Sequence, residues 1–295
     1  MKDKIDVYMS NPGNFGPEEM VGDWPTNPSK HFNWTKNKTD LLSIWVDTDG
    51  SDNPFGNLKR DVLSSPSKYK IMVLAEPKGY CAHNYEWVLY NHSIFDLVFS
   101  TYPEFGFCNK KFKYYHGGLR SYISKEDFGV YAKSKEICSI MSSRKQLPGH
   151  ILRHEIRSEL EKIGNTFIDY VNPPLKRKVD GLRDYRYELV IENEDGSNFT
   201  EKLIDSILCG CLPIYWSDID LSYLNVFDMN GIEVFRTKEE LIDKLKSGYF
   251  TKELYDSKID SIKNNFEVAK KFVSLGDVLW NYGLKELVET HENNL

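Results

Sequence analysis

Short apolar runs that alternate with helical periods constrain this chain more than any other feature. Runs rich in β-branched and aromatic residues fall at Ile5–Met9, Leu41–Val46, Lys70–Ala75, Leu97–Ser100 and Ile137–Ser142. More follow at Phe167–Val171, Glu188–Ile191, Leu212–Trp216 and Gly231–Phe235. Between them the spacing predicts helices. Tyr85, Val88, Leu89 and His92 share one face, and Ile151, Leu152, Ile156, Leu160 and Ile163 mark a longer helix. Leu203, Ile204, Ile207, Leu208 and Cys211 repeat the pattern. Strands alternating with helices pair as parallel sheets covered on both faces.

The 295 residues suffice for two such layered domains. Gly117-Gly118 opens a polar stretch over 117–136, which sets the expected boundary: one α/β domain over 1–130 and a second over 131–295. From Thr251 onward, spacing through Ile259, Ile262, Phe266, Ala269 and Phe272 predicts a nearly continuous terminal helix. Ligands of open α/β sheets bind beyond the carboxyl ends of strands, so a cleft between the two halves is the expected site.

Composition narrows the function classes. A net charge of -6 gives no domain-wide basic field to gather nucleic-acid phosphates. The five cysteines show no CxxC spacing and no His pair completes a zinc set, so a reduced protein is expected. The amino-terminal residues carry no signal-peptide run and no stretch reaches membrane-span length, which gives a cytoplasmic expectation.

The most informative segment is Tyr185–Trp216: a strand, a polar turn, a helix and a second strand. Glu192 and Asn193 end the first strand, Asp195-Gly196-Ser197 is turn chemistry, and Asn198 with Glu201 fits a capping box. The helix that follows offers free backbone N–H groups and a positive dipole end, and Lys202 adds a full charge. Two readings fit these residues: a diphosphate seat, or an ordinary capping glutamate beside a solvated lysine.

Ile191-Glu192-Asn193, then Phe199-Thr200-Glu201-Lys202, then Leu212-Pro213-Ile214-Tyr215-Trp216 resembles the donor-binding motif of the α1,3-fucosyltransferases (glycosyltransferase family 10), over roughly 30 residues in register. The resemblance implies a GT-B architecture of two Rossmann-like domains, the acceptor domain first and the nucleotide-sugar domain second. It implies GDP-fucose as donor, a glycan hydroxyl as acceptor, and inversion at the anomeric centre. It assigns Glu201, Lys202 and Asn193 to the donor pocket, with Glu192 beside them. Cys138–Arg153 resembles the family's strand, loop and helix, so Arg153 is expected on the diphosphate, with His150 and Arg144 nearby. A guanidinium suits that role because its fork pairs two phosphate oxygens and stays charged. Four departures stand out: Asn198 replaces an aromatic, the turn before it is one residue short, Ser217 replaces Gly, and Ser142-Ser143 stands where Ser-Asn is usual.

An inverting transfer needs a base for the acceptor hydroxyl. Glu76 is the candidate, at the end of Ile71–Ala75 and fixed by Pro77; Asp47, Asp49, His83 and Glu104 are alternatives. Asp47-Thr48-Asp49 and Asp218-Ile219-Asp220 spell the DxD of metal-dependent glycosyltransferases, but Lys202, Arg153 and a helix N-terminus can neutralise a diphosphate, so no metal or other cofactor is expected. Of the amino-terminal aromatics, Trp24, Trp34 and Tyr80 are candidates to stack on acceptor sugars.

Overall fold

The structure, a computed structural model, describes residues 4–10, 23, 25–47, 54–107, 109–116, 120–164, 167–173, 175–194, 199–217 and 221–292. Trp24, Asp49, Cys108, Gly117-Gly118, Asp195-Gly196-Ser197, Asn198, Asp218 and Asp220 lie outside them. The chain divides into two compact units, 1–120 with 274–295, and 121–273.

The first unit holds a six-stranded parallel sheet in the order β2-β1-β3-β4-β5-β6. Its strands are β1 (Ile5–Ser10), β2 (Phe32–Thr35), β3 (Leu42–Val46), β4 (Tyr69–Leu74), β5 (Leu97–Ser100) and β6 (Phe112–Tyr114). β3 and β5 are buried along their whole length, as strands covered on both faces must be. β2 and β6 are edge strands the sequence does not flag, because Phe32-Asn-Trp-Thr and Phe112-Lys-Tyr are too short and polar to read as runs. Helices α1 (Pro54–Leu63) and α2 (Lys78–Asn91) cross over between strands. α2 buries Tyr85 and Val88, while Leu89 is 37% exposed and His92 lies past the helix end.

The expected boundary at 130 and the expected grouping of the terminal helices with the second domain differ from what is observed. α8 (Leu275–Leu279) and α9 (Lys285–Glu292) belong to the first unit. Asp23 explains why: its buried carboxylate accepts from Leu275 N at 2.6 Å, Ser274 Oγ at 2.9 Å and Trp34 Nε1 at 2.8 Å. Asp277 Oδ1 likewise accepts from Ser29 Oγ at 2.7 Å. Burial pushes Asp23 up to about 6.

The second unit holds a five-stranded parallel sheet in the order β11-β10-β9-β7-β8. Its strands are β7 (Lys135–Ile140), β8 (Asp169–Val171), β9 (Tyr185–Ile191), β10 (Leu212–Trp216) and β11 (Glu233–Val234). β9 is buried at every position. Helices α3 (Pro148–Lys162), α4 (Glu201–Leu208) and α5 (Lys238–Lys246) connect the strands, and α6 (Lys252–Ser257) and α7 (Ile259–Ala269) follow. The predicted continuous helix after Thr251 is therefore broken, at Lys258 and again before Ser274, which caps α8.

α3 also differs from its expected face. Ile156 and Leu160 are buried, but Ile151 and Ile163 are each 46% exposed. The inward face begins instead with Gly149, His150 and Arg153. Among the described residues no helix is long and apolar enough to cross a membrane.

Candidate functional site

In the second unit, the carboxyl end of β9 meets the first turns of α3 and α4. Gly149 N donates to Asn193 O at 3.0 Å, and a Cβ at position 149 would sit 1.7 Å from Glu192 O. Only glycine lets α3 approach the strand end this closely. That contact, absent from the sequence reading, delivers Arg153. Its guanidinium donates to Ile191 O and, at 3.0 Å, to Asn193 Oδ1.

Glu192 is fully buried. Its carboxylate accepts from Thr200 N at 2.9 Å, Thr200 Oγ1 at 2.7 Å and Tyr215 OH at 3.1 Å, so it ties the start of α4 to β9 and β10. Buried charge of this kind is held by hydrogen bonds and a cation; Lys202 Nζ is 3.5 Å away. The helix cap is Thr200, whose hydroxyl accepts from Lys202 N at 3.3 Å; the expected capping residue Asn198 lies outside the described residues. Phe199, one residue earlier, is buried against Phe227 and Phe272 with centroids 5.0 and 5.2 Å apart, which fixes the entry of the chain into α4.

Lys202 and Glu201 stand 3.1 Å apart, each with about a quarter of its side chain open to solvent. Despite burial, the charges of Lys202 and Lys178 hold Glu201 below the usual carboxylate range. Burial works against the Lys202 charge, but Glu201 and Glu192 outweigh it and raise Lys202. Lys178 pairs at 2.8 Å with Asp205, one turn past Glu201 on α4; neither residue carries an expectation from sequence. His150 behaves oppositely. Burial first, then the charges of Arg153, Lys202 and Arg144, push it down to about 4, so the imidazole is neutral at pH 7. Its Nδ1 accepts from Leu147 N at 3.3 Å, which assigns the proton to Nε2. Arg144 itself is exposed.

The second unit thus brings together Arg153, Asn193, Glu192, Glu201, Lys202 and His150. Two cations flank a strand end beside the N-terminus of α4, an arrangement that can receive a doubly charged oxyanion.

In the first unit, Glu76 follows β4 and is half-buried. Its N–H donates to Asp47 Oδ2 at 3.1 Å, and its carbonyl accepts from Tyr85 OH at 2.8 Å. Glu104 pairs with Lys78, and His83 packs edge-on against Phe55 with centroids 5.6 Å apart. Trp34 donates its indole N–H to Asp23, which gives it a structural task. Among the described residues no group of three or more His, Cys, Asp and Glu side chains is arranged to hold a metal ion.

No protein-family model matches the sequence, and no curated protein does. Solved structures match in fold. The GtfA/B complex is 11% identical with a TM-score of 0.52, over 86% of this chain and 58% of that one. The pneumococcal O-GlcNAc transferase GtfA, in complex with UDP and GlcNAc, is 13% identical with a TM-score of 0.50, over 83% and 57%. Anabaena HepE, in complex with UDP-glucose, is 11% identical with a TM-score of 0.51, over 85% and 79%. The chain therefore spans 58% and 57% of the first two. At such identities the likeness is one of fold: two parallel-sheet α/β units of GT-B type.

Proposed function

We propose that this chain is a nucleotide-sugar-dependent glycosyltransferase whose donor diphosphate binds at the carboxyl edge of the second sheet. The observation that carries this reading is the pairing of Arg153 with Asn193 and of Lys202 with Glu192, two cations on successive residues of one strand end. Arg153 and Lys202 neutralise the diphosphate as it leaves; Glu201, ionised and partly open, accepts from donor hydroxyls; neutral His150 donates through Nε2. Glu76 takes the proton of the acceptor hydroxyl while the new C–O bond forms. The sugar–phosphate bond breaks on the opposite face and its electron pair leaves with the diphosphate, inverting the anomeric centre.

The donor read from the Ile191–Trp216 segment is GDP-fucose, and the acceptor is a glycan hydroxyl. A UDP-sugar is the second reading, favoured by the UDP and UDP-glucose bound in the compared structures. Calorimetric titration with GDP, UDP, CMP and dTDP, with and without EDTA, separates them. GDP binding that is indifferent to EDTA supports the GDP-sugar reading, and preferential UDP binding transfers the same site to the second. Failure of every nucleotide to bind would sink the site assignment.

A further inference from the structure

Asp47 takes a backbone conformation that few non-glycine residues adopt. It follows β3 with φ of 49°, in the left-handed region that a non-glycine residue enters at a cost, and it is 4% exposed. Its carboxylate accepts from Ala75 N at 3.3 Å, Glu76 N at 3.1 Å and Asn84 Nδ2 at 3.4 Å, while its own N–H donates to Val73 O at 3.0 Å. One side chain just past β3 thus grips the end of β4 at the position where Glu76 emerges. The other side of Glu76 is held by Tyr85 OH. A strained backbone and a buried carboxyl are both costs to the folded state, and paired costs of this kind concentrate at functional sites.

We propose that Asp47 is the positioning residue for Glu76, clamping its backbone at the end of β4 and coupling to its carboxylate as a like charge. The inference rests on the reading of Glu76 as the base. The groups that face Asp47 are Glu76 after β4, Cys81, Asn84 and Tyr85 on α2, and Tyr115 after β6. Burial is the main force on the Asp47 carboxyl, and with the Glu76 charge it lifts the group to about 7 despite the hydrogen bonds it accepts. Asp47 therefore changes charge near neutrality. Above that point it grips the Ala75 and Glu76 N–H groups as a full carboxylate and holds Glu76 in place.

Asp47→Asn tests this, because Asn keeps one acceptor oxygen and tolerates the left-handed backbone. Wild-type kcat is expected to rise between about pH 6 and about pH 8, the window around the Asp47 value. The variant should lose that limb and at least about tenfold in kcat, with donor KM unchanged. A variant that keeps the wild-type pH profile, or loses only KM, overturns the proposal. Infrared difference spectra give a readout free of any assay. The protonated-carboxyl band of Asp47 should disappear as pH rises through about 7, be missing in Asp47→Asn, and titrate at lower pH in Glu76→Gln. An unmoved band in Glu76→Gln removes the coupling. Normal turnover by Glu76→Gln removes the base reading instead, so the two failures are told apart.

Discussion

At the carboxyl edge of the first sheet the Asp47 carboxylate reaches the backbone of Glu76, whereas the same edge of the second sheet gathers Arg153 and Lys202. Both sheets are parallel and both use crossover helices, so topology supplies the same kind of place twice. The loops then give the two places opposite charge. Burial acts on both: it makes Asp47 hard to ionise and holds His150 neutral. What differs is the compensation. Glu201 and Glu192 sustain the Lys202 charge, while Glu76 adds a second negative charge beside Asp47. An edge of ionisable acids suits proton removal, and an edge of sustained cations suits a phosphate leaving group.

The largest effects should come from deleting either charge. Glu76→Gln is expected to lower kcat by about 10²–10⁴-fold while calorimetric donor affinity stays intact. Lys202→Ala should lower transfer by about 10²–10³-fold and weaken nucleotide binding as well. The contrast breaks if Glu76→Gln weakens donor binding as much as Lys202→Ala does, for then the two edges are not doing separate work.

Next comes a pair of close approaches, one taken from each unit. Gly149→Ala puts a Cβ 1.7 Å from the backbone oxygen of Glu192, which cannot swing aside as a side chain can, and should cost about 3 kcal/mol and displace Arg153. Gly276→Ala meets Ser29 Oγ at 2.8 Å and Phe32 at 2.9 Å, contacts with side-chain atoms and longer than the Gly149 one, so about 1–2 kcal/mol is expected. Urea denaturation of both variants, with nucleotide titration of each, measures the difference. Equal costs would mean that β9 yields as readily as a side chain.

The sequence was most legible where apolar runs were long and bounded. β5 and β10 occupy the residues their runs mark, β9 contains its run, and α4 holds Leu203, Ile204, Ile207 and Leu208 but ends before Cys211. It was least legible where geometry depends on distant residues. Gly149 reads as one more helix-start glycine until β9 lies against it. Asp47 looks like half of a DxD until its left-handed backbone and its grip on Glu76 are seen. The terminal helices follow the same rule: their spacing is local, but Asp23, some 250 residues earlier, decides which unit they join. On α3, periodicity picked apolar residues, yet the inward face opens with Gly149, His150 and Arg153, because the Gly149 backbone and the Arg153 side chain answer to the strand end rather than to the core.

Helix caps give a smaller, matched pair within the second unit. Thr237 caps α5 by accepting from Glu240 N at 3.2 Å, and Thr237→Ala should cost about 1 kcal/mol. Thr200 caps α4 but also gives two hydrogen bonds to buried Glu192, one of them through its hydroxyl. Its loss should cost about 1 kcal/mol more and reduce nucleotide affinity, since a buried carboxylate loses a donor. Equal costs for the two variants would reduce Thr200 to an ordinary cap.

The smallest effect concerns His150, and it sharpens the contrast between the edges most directly. Its value near 4 lies below the ordinary value of 6.5, so the unfolded chain binds a proton there that the folded chain does not. His150 therefore favours the fold above about pH 6.5, and that contribution drains away as pH falls toward about 4. Between about pH 6 and about pH 8 the imidazole resonances of His150 should stay still, while the Asp47 carboxyl titrates in the same window. A His150 resonance that moves with a midpoint near 6.5 would mean a third, titrating cation at the donor edge. The second sheet would then respond to pH as the first does, and the division between a fixed-charge edge and a proton-exchanging edge would fail.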